Sequence, residues 1–313
     1  TLSRASGFFA HRRPMPEKGK MGACAMKGKE LSKPEAHMRE VIRFLLSLPP
    51  EQREPLELAE NYGFTMACPA PPWPSVAARK AATQSCTWEG DTVACAKMLA
   101  GLGLRVAMLN FAHGYNCGGG FEHAAGSQEE AIFRSSSLFL SLWPHRRQDD
   151  GPGVLKRGLW IGEFDEQLPR KEAFYEHSQC GGIYSPHVQL LDAGADSGFS
   201  LGPRVAVLTA AAQDLTRVKP FRKDLLRQKL RSILRMAAEH GDEALVLGAF
   251  GCGYFGNPPE AVAEVFQELL TSEFQGVFRL CVFALLRDRN YASFVRHFPV
   301  ASHGDLQRLV GAV

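Results

Sequence analysis

The chain has 313 residues, 45% apolar and 22% charged, enough to bury one large core or two modest ones. A net charge of +3 gives no basis for charge-driven steering to nucleic acid or membrane, so no sequence-specific nucleic-acid contact is expected. The eight cysteines, with no C-x-x-C pair and no zinc-type Cys/His spacing, argue against a disulfide framework or a structural zinc, and no apolar run approaches the ~20 residues of a membrane span.

In chain order, residues 1–30 carry seven Lys/Arg against two Glu and begin at Thr1, which raises the expectation of a processed or truncated N-terminus, a remnant of an organelle-targeting sequence being one form of it, in an otherwise intracellular, cytoplasmic or nuclear protein. "KPEAHMREVIRFLLSL" puts Met38, Val41, Ile42, Leu45 and Leu46 on one stripe and predicts an amphipathic helix. The proline-dense "CPAPPWPS", Cys68 to Ser75, predicts a linker, so the expected organisation is a flexible, helical accessory region over 1–75 and a main domain over 76–313.

From Ser85 onward strands and helices alternate. "SCTWEG" reads as a strand, "DTVACAKMLAGLG" as a glycine-closed helix and "RVAMLNF" as a buried strand; "QEEAIFRSSSLFLSLW" reads as one helix. "GGIYSPHVQLL" and "RVAVLTAAA" follow as strands, then a long helix ending on Gly241, the strand "EALVLGAF", the helix "PPEAVAEVFQELL" and the strand "VFRLCVFALL". Continuously apolar strands between helices predict an α/β fold whose central sheet, largely parallel or mixed, is covered on both faces, with ligands at the carboxyl ends of the strands.

Two loops carry chemistry. In "NFAHGYNCGGGFEHAAGSQEEAIF", Gly118, Gly119 and Gly120 follow a buried strand, and a backbone without Cβ atoms can approach a ligand closely and aim amides at it. Ser127 is a candidate N-cap, and Gln128, Glu129 and Glu130 open the next helix; adjacent carboxylates repel, which raises the pKa of one of them toward general-acid duty. Neighbours on one helix do not supply the opposed pair of an ordinary glycosidase, so one acid/base with a bracing partner fits better.

The second loop, "LGAFGCGYFGNPPEAV", contains Gly251, Cys252, Gly253, Tyr254, Phe255 and Gly256, with Asn257 as the expected cap of a helix starting at Pro258. Gly251, Gly253 and Gly256 satisfy G-x-G-x-x-G, but the strand lies too near the C-terminus for a dinucleotide domain, and no G-K-[ST] follows for a P-loop. Tyr254 and Phe255 are core plugs or ligand-stacking rings on sequence alone. Two anion-friendly loops in one domain suggest a diphosphate between them.

"NCGGG", seven residues and then "QEE" resembles the signature of the microbial-type poly(ADP-ribose) glycohydrolases, whose catalytic domain is a macrodomain. "RVAMLNFA", "GGIYSPHV", "LGAFGCGYFGN" and "VFALLRDRNYASFVRHF" extend the likeness over roughly residues 85–298. The resemblance implies a three-layer α/β/α macrodomain that binds ADP-ribose and releases it from polymers on modified proteins, from the chain end, as a monomer with no cofactor or metal. It implies Glu130 as general acid/base, Glu129 on the ribose hydroxyls, Gln128 positioning the pair, and Asn110 and Asn116, with Phe111 beside them, at the distal ribose. Phe255 would orient the scissile bond, and Asp91 of "GDT" would reach the adenine. Cys117 stands where the family commonly has proline, and His113 and His123 are departures. A hydrolase of single ADP-ribose units and a non-catalytic reader of ADP-ribose remain as alternatives.

Overall fold

The computed structural model describes residues 32–62, 81–114, 118–123, 126–145, 164, 181–194 and 198–311. The expected basic opening segment, the proline-dense linker and the loop around Asp149 lie outside the described residues.

Helix α1 (Lys33–Ser47) starts on a capping box in which the Ser32 hydroxyl and amide both donate to Glu35, and it buries Met38, Val41, Ile42 and Leu45. A short helix α2 (Pro50–Arg53) precedes the edge strand β1 (Glu60–Tyr62). Then come β2 (Gln84–Glu89), α3 (Thr92–Gly101), β3 (Val106–Phe111), α4 (Gln128–Arg134), α5 (Leu138–Leu142), β4 (Gly182–Ala193) and β5 (Phe199–Ala210). The chain ends with α6 (Lys223–Glu239), β6 (Ala244–Leu247), α7 (Pro259–Thr271), β7 (Leu280–Leu285), α8 (Tyr291–Val295) and α9 (His303–Gly311).

One seven-stranded sheet has the order β1-β4-β5-β3-β6-β7-β2. The strands from β5 to β2 pair in parallel, whereas β4 runs antiparallel to both β5 and β1, so the sheet is mixed. The segment before residue 63 thus contributes both a packed helix and an edge strand.

Strand alternation divides the core into two layers. Val106 and Met108 of β3, Val205 and Val207 of β5 and Val282 of β7 face α1, α3, α4 and α5. Ala107, Leu109, Ala206, Leu208 and Phe283 face α6, α7 and α8, whose Leu230, Ile233, Phe266 and Phe294 are fully buried. The result is a sheet covered on both faces, as the apolar strands predict, in the three-layer α/β/α arrangement that the family resemblance implies.

Two element boundaries differ from expectation. The single helix expected over Gln128–Trp143 is two, broken at Ser135–Ser137. There the hydroxyls of Ser135 and Ser136 donate to the carbonyls of Ala131 and Ile132 (both 2.7 Å), and the backbone turns to bond β4 through Ser137 N–H to Gln189 O and Leu191 N–H to Ser135 O. The strand "EALVLGAF" ends at Leu247, because the Phe250 amide folds back on Gly248 O and Gly251 takes a φ of 74°.

Candidate active site

The alternation of β3 decides what the strand end can reach. Asn110 continues the Met108 side, toward α4, while Phe111 continues the Leu109 side and sets its ring edge-on to Phe250 at 6.1 Å. Asn110 is fully buried, its Nδ2 donating to Glu129 Oε1 (3.3 Å) and to Oγ1 of Thr209 (3.4 Å), its cross-strand neighbour on β5.

Helix α4 is anchored at its first residues. Ser127 caps it as expected, with the Ser127 amide and hydroxyl both donating to Glu130 Oε2. Gln128 bridges the helix start to the end of β3: its Oε1 accepts the Phe111 amide at 2.9 Å, and its Nε2 donates to Leu109 O at 2.7 Å and Thr92 Oγ1 at 3.1 Å. That bridge sets Glu129 and Glu130 at the carboxyl end of the sheet, 1% and 4% exposed.

The glycine loop serves these carboxylates. Gly118 N–H donates to Glu129 Oε1 at 3.0 Å and Gly120 N–H to Glu130 Oε1 at 2.7 Å, while the His113 amide donates to Glu129 Oε2 at 2.7 Å. Buried carboxylates need donors, and two of the three glycine amides supply them. Gly118, at a φ of 84°, has no room for a Cβ against the Phe121 and Phe133 rings.

Burial pushes the Glu129 carboxyl up to about 8, with the nearby Glu130 charge adding to the effect; the His113, Asn110 and Gly118 donors oppose it. Burial also lowers the His113 imidazole, helped by Arg217 and opposed by Asp214 and Glu130. The Cys252 thiol is pushed up to about 12 by burial and is an inert core group.

In the second loop Gly251 turns tightly against Ala212 and Asn257, where no Cβ fits. Asn257 is buried and does not cap α7, whose N-cap is Pro258; its Nδ2 instead donates to Gln213 O (2.7 Å) and Gly251 O (3.1 Å). The amides of Gly253, Tyr254 and Phe255 donate to no acceptor among the described residues. The Phe255 ring lies 6.3 Å from that of His113, and Tyr254 is 81% exposed.

The fold therefore gathers Asn110, Phe111, Gly118, Gly119, Gly120, Gln128, Glu129 and Glu130 in one cluster. Asn116 and Cys117 lie outside the described residues, and Asp91 is the exposed N-cap of α3, accepting from the Ala94 amide at 2.9 Å. Sequence reasoning missed the His113 amide, Thr209 and Gln213. The first is a backbone donor that any residue type supplies, and the other two join the cluster through the β3–β5 and loop–loop contacts, which no local pattern marks.

Residues 65–192 match the model of the microbial-type PARG catalytic domain. No curated protein matches the chain. Among solved structures, a poly(ADP-ribose) glycohydrolase from Thermomonospora curvata bound to the inhibitor ADP-HPD is 29% identical with a TM-score of 0.62, over 85% of this chain and 99% of that one. A further structure of the Thermomonospora curvata poly(ADP-ribose) glycohydrolase is 28% identical at a TM-score of 0.61 over the same spans. The Deinococcus radiodurans poly(ADP-ribose) glycohydrolase in complex with ADP-ribose is 31% identical, with a TM-score of 0.52 over 69% of this chain and 84% of that one. With its sequence and its fold both matching these relatives, the chain belongs to the microbial-type poly(ADP-ribose) glycohydrolases, a family of macrodomain hydrolases.

Proposed function

We propose that this enzyme releases ADP-ribose from the ends of ADP-ribose polymers, with Glu130 as general acid and then general base. The observation that carries the reading is the pair of buried carboxylates held beneath a glycine loop, next to a second loop with three successive unspent amides. Consecutive backbone N–H groups suit a diphosphate, and the carboxylates suit the ribose attached to it.

In the reaction, the bond between the distal ribose C1″ and the 2′-oxygen of the neighbouring unit breaks as Glu130 gives its proton to that oxygen. The oxocarbenium-like centre takes hydroxide from water, whose remaining proton returns to Glu130. Glu129 accepts from the ribose hydroxyls while Asn110, Gly118 and His113 hold it still, and Phe255 packs on the ribose to orient the bond.

A second reading exchanges the two glutamates, because it is Glu129 that burial pushes up to about 8 and so keeps protonated near neutral pH. Glu130→Gln and Glu129→Gln are compared for ADP-ribose released from polymer and for ADP-ribose affinity. The first reading expects Glu130→Gln to abolish release with near-normal binding and Glu129→Gln to weaken binding as well. The reverse pattern selects the second, and full turnover by both variants overturns the assignment.

A further inference from the structure

The carboxylate pair closes the end of β3, and the loop of unspent amides follows β6, its neighbour on one side; β5 is the neighbour on the other. A unit with its ribose at the carboxylates and its diphosphate on Gly253–Phe255 therefore leaves the β5 side to whatever is joined to that ribose. The segment 211–222 starts on that side, after β5, and reaches the second loop, where Asn257 Nδ2 donates to Gln213 O.

This segment is tied to the site and internally braced. The Leu215 amide donates to Phe255 O at 3.0 Å, and Arg217 and Asp214 act electrostatically on His113, whose amide holds Glu129. Gln213 Nε2 donates to Val218 O (3.2 Å) and Pro220 O (2.8 Å), its Oε1 accepts the Arg222 amide (3.0 Å), and Asp214 Oδ1 accepts from the Thr216 amide and hydroxyl. A frame of this kind presents Arg217, Val218 and Lys219 to solvent in one arrangement.

The stretch "TRVKPFRK", Thr216 to Lys223, holds four cations and no acid. Arg222 pairs with Asp224 and Lys223 with Glu264, but Lys219 has no ion pair or hydrogen bond among the described residues. Arg217, 45% exposed, faces the more buried Asp214 at 3.4 Å, so one side of its guanidinium stays open to a phosphate. Tyr254, 81% exposed, neighbours Phe255, whose carbonyl accepts the amide of Leu215 two residues before Arg217.

We propose that Arg217, Lys219 and Tyr254 form a second subsite, which takes the adenosine diphosphate of the polymer unit on the leaving side of the scissile bond. The inference rests on the polymer reading above. Arg217 and Lys219 neutralise the diphosphate and Tyr254 supplies a face for the purine, the combination that single-stranded polyanions with stacked bases require. The enzyme then binds a chain more tightly than its terminal unit.

The test uses Glu130→Gln protein, so that ligands persist, and compares the Kd of ADP-ribose with that of a short ADP-ribose oligomer at low and high salt. The oligomer should bind roughly tenfold tighter at low salt, with the advantage shrinking as salt rises. Adding Lys219→Glu should remove most of it while the ADP-ribose Kd holds, Arg217→Gln should remove part of it, and Tyr254→Ala should weaken the oligomer more than ADP-ribose. An oligomer that binds no tighter, an advantage untouched by Lys219→Glu, or an equal loss for both ligands overturns the subsite and leaves the polymer reading standing. If the unsubstituted enzyme releases nothing from polymer and binds neither ligand, the polymer reading falls, and the subsite with it.

Discussion

Gly119 lies directly over Glu130. A Cβ on this glycine would stand 2.4 Å from Glu130 Oε1 and 2.9 Å from Glu129 Oε2, at a φ of 57° that L side chains rarely adopt. The amides on either side, Gly118 and Gly120, each hold one of the two carboxylates, so the three glycines act as a clamp on the acid pair.

Gly119→Ala carries both the left-handed backbone penalty, about 1–2 kcal/mol, and a clash with the two carboxylates. Displacing either glutamate by about an ångström is expected to lower kcat/KM for polymer roughly 100-fold. Thermal unfolding should show only a modest loss, and a variant of normal activity would show that the clamp is not needed.

Gln128→Ala leaves the Phe111 amide and the Leu109 carbonyl without their partner at the end of β3. The expected loss is about 1–3 kcal/mol of stability in urea, accompanied by weaker ADP-ribose binding, since the same side chain sets the start of α4. Loss of stability with unchanged binding would separate the bridge from the site.

Asn257→Ala removes two hydrogen bonds, to Gln213 and Gly251, that hold the second loop against the 211–222 segment. A loosened loop should raise the ADP-ribose Kd roughly tenfold, through about 1.4 kcal/mol of lost preorganisation. Calorimetry on the variant checks this, and an unchanged Kd would assign Asn257 to folding alone.

Stability should depend on pH through the buried acids. Burial raises Glu129 from 4.5 to about 8 and Asp242 from 3.8 to about 6, so over those intervals the native state holds more protons than the unfolded chain. Unfolding free energy therefore falls as pH rises, between about 4 and 6 through both groups and up to about 8 through Glu129 alone. Glu129→Gln should flatten the upper part of that slope in Tm measured against pH; an unaltered slope would show that Glu129 ionises normally.

The sequence by itself determined the local patterns. Apolar strands between amphipathic helices specified an α/β sheet covered on both faces, and glycines placed before Gln128–Glu130 marked the acid pair. Ser127 as a helix cap was legible because capping depends on residues within one turn of each other.

Tertiary structure decided what these local signals meant. Asn110 turned inward to brace Glu129 because it shares a face of β3 with Met108, and Thr209 joined it through strand pairing across 99 residues. Asn257 left its expected capping role for a carbonyl on another loop, and two of the three glycine amides went to the carboxylates. Buried charges and polar groups take whichever donors the fold brings within reach, and burial and long-range pairing are not encoded in any short stretch of chain.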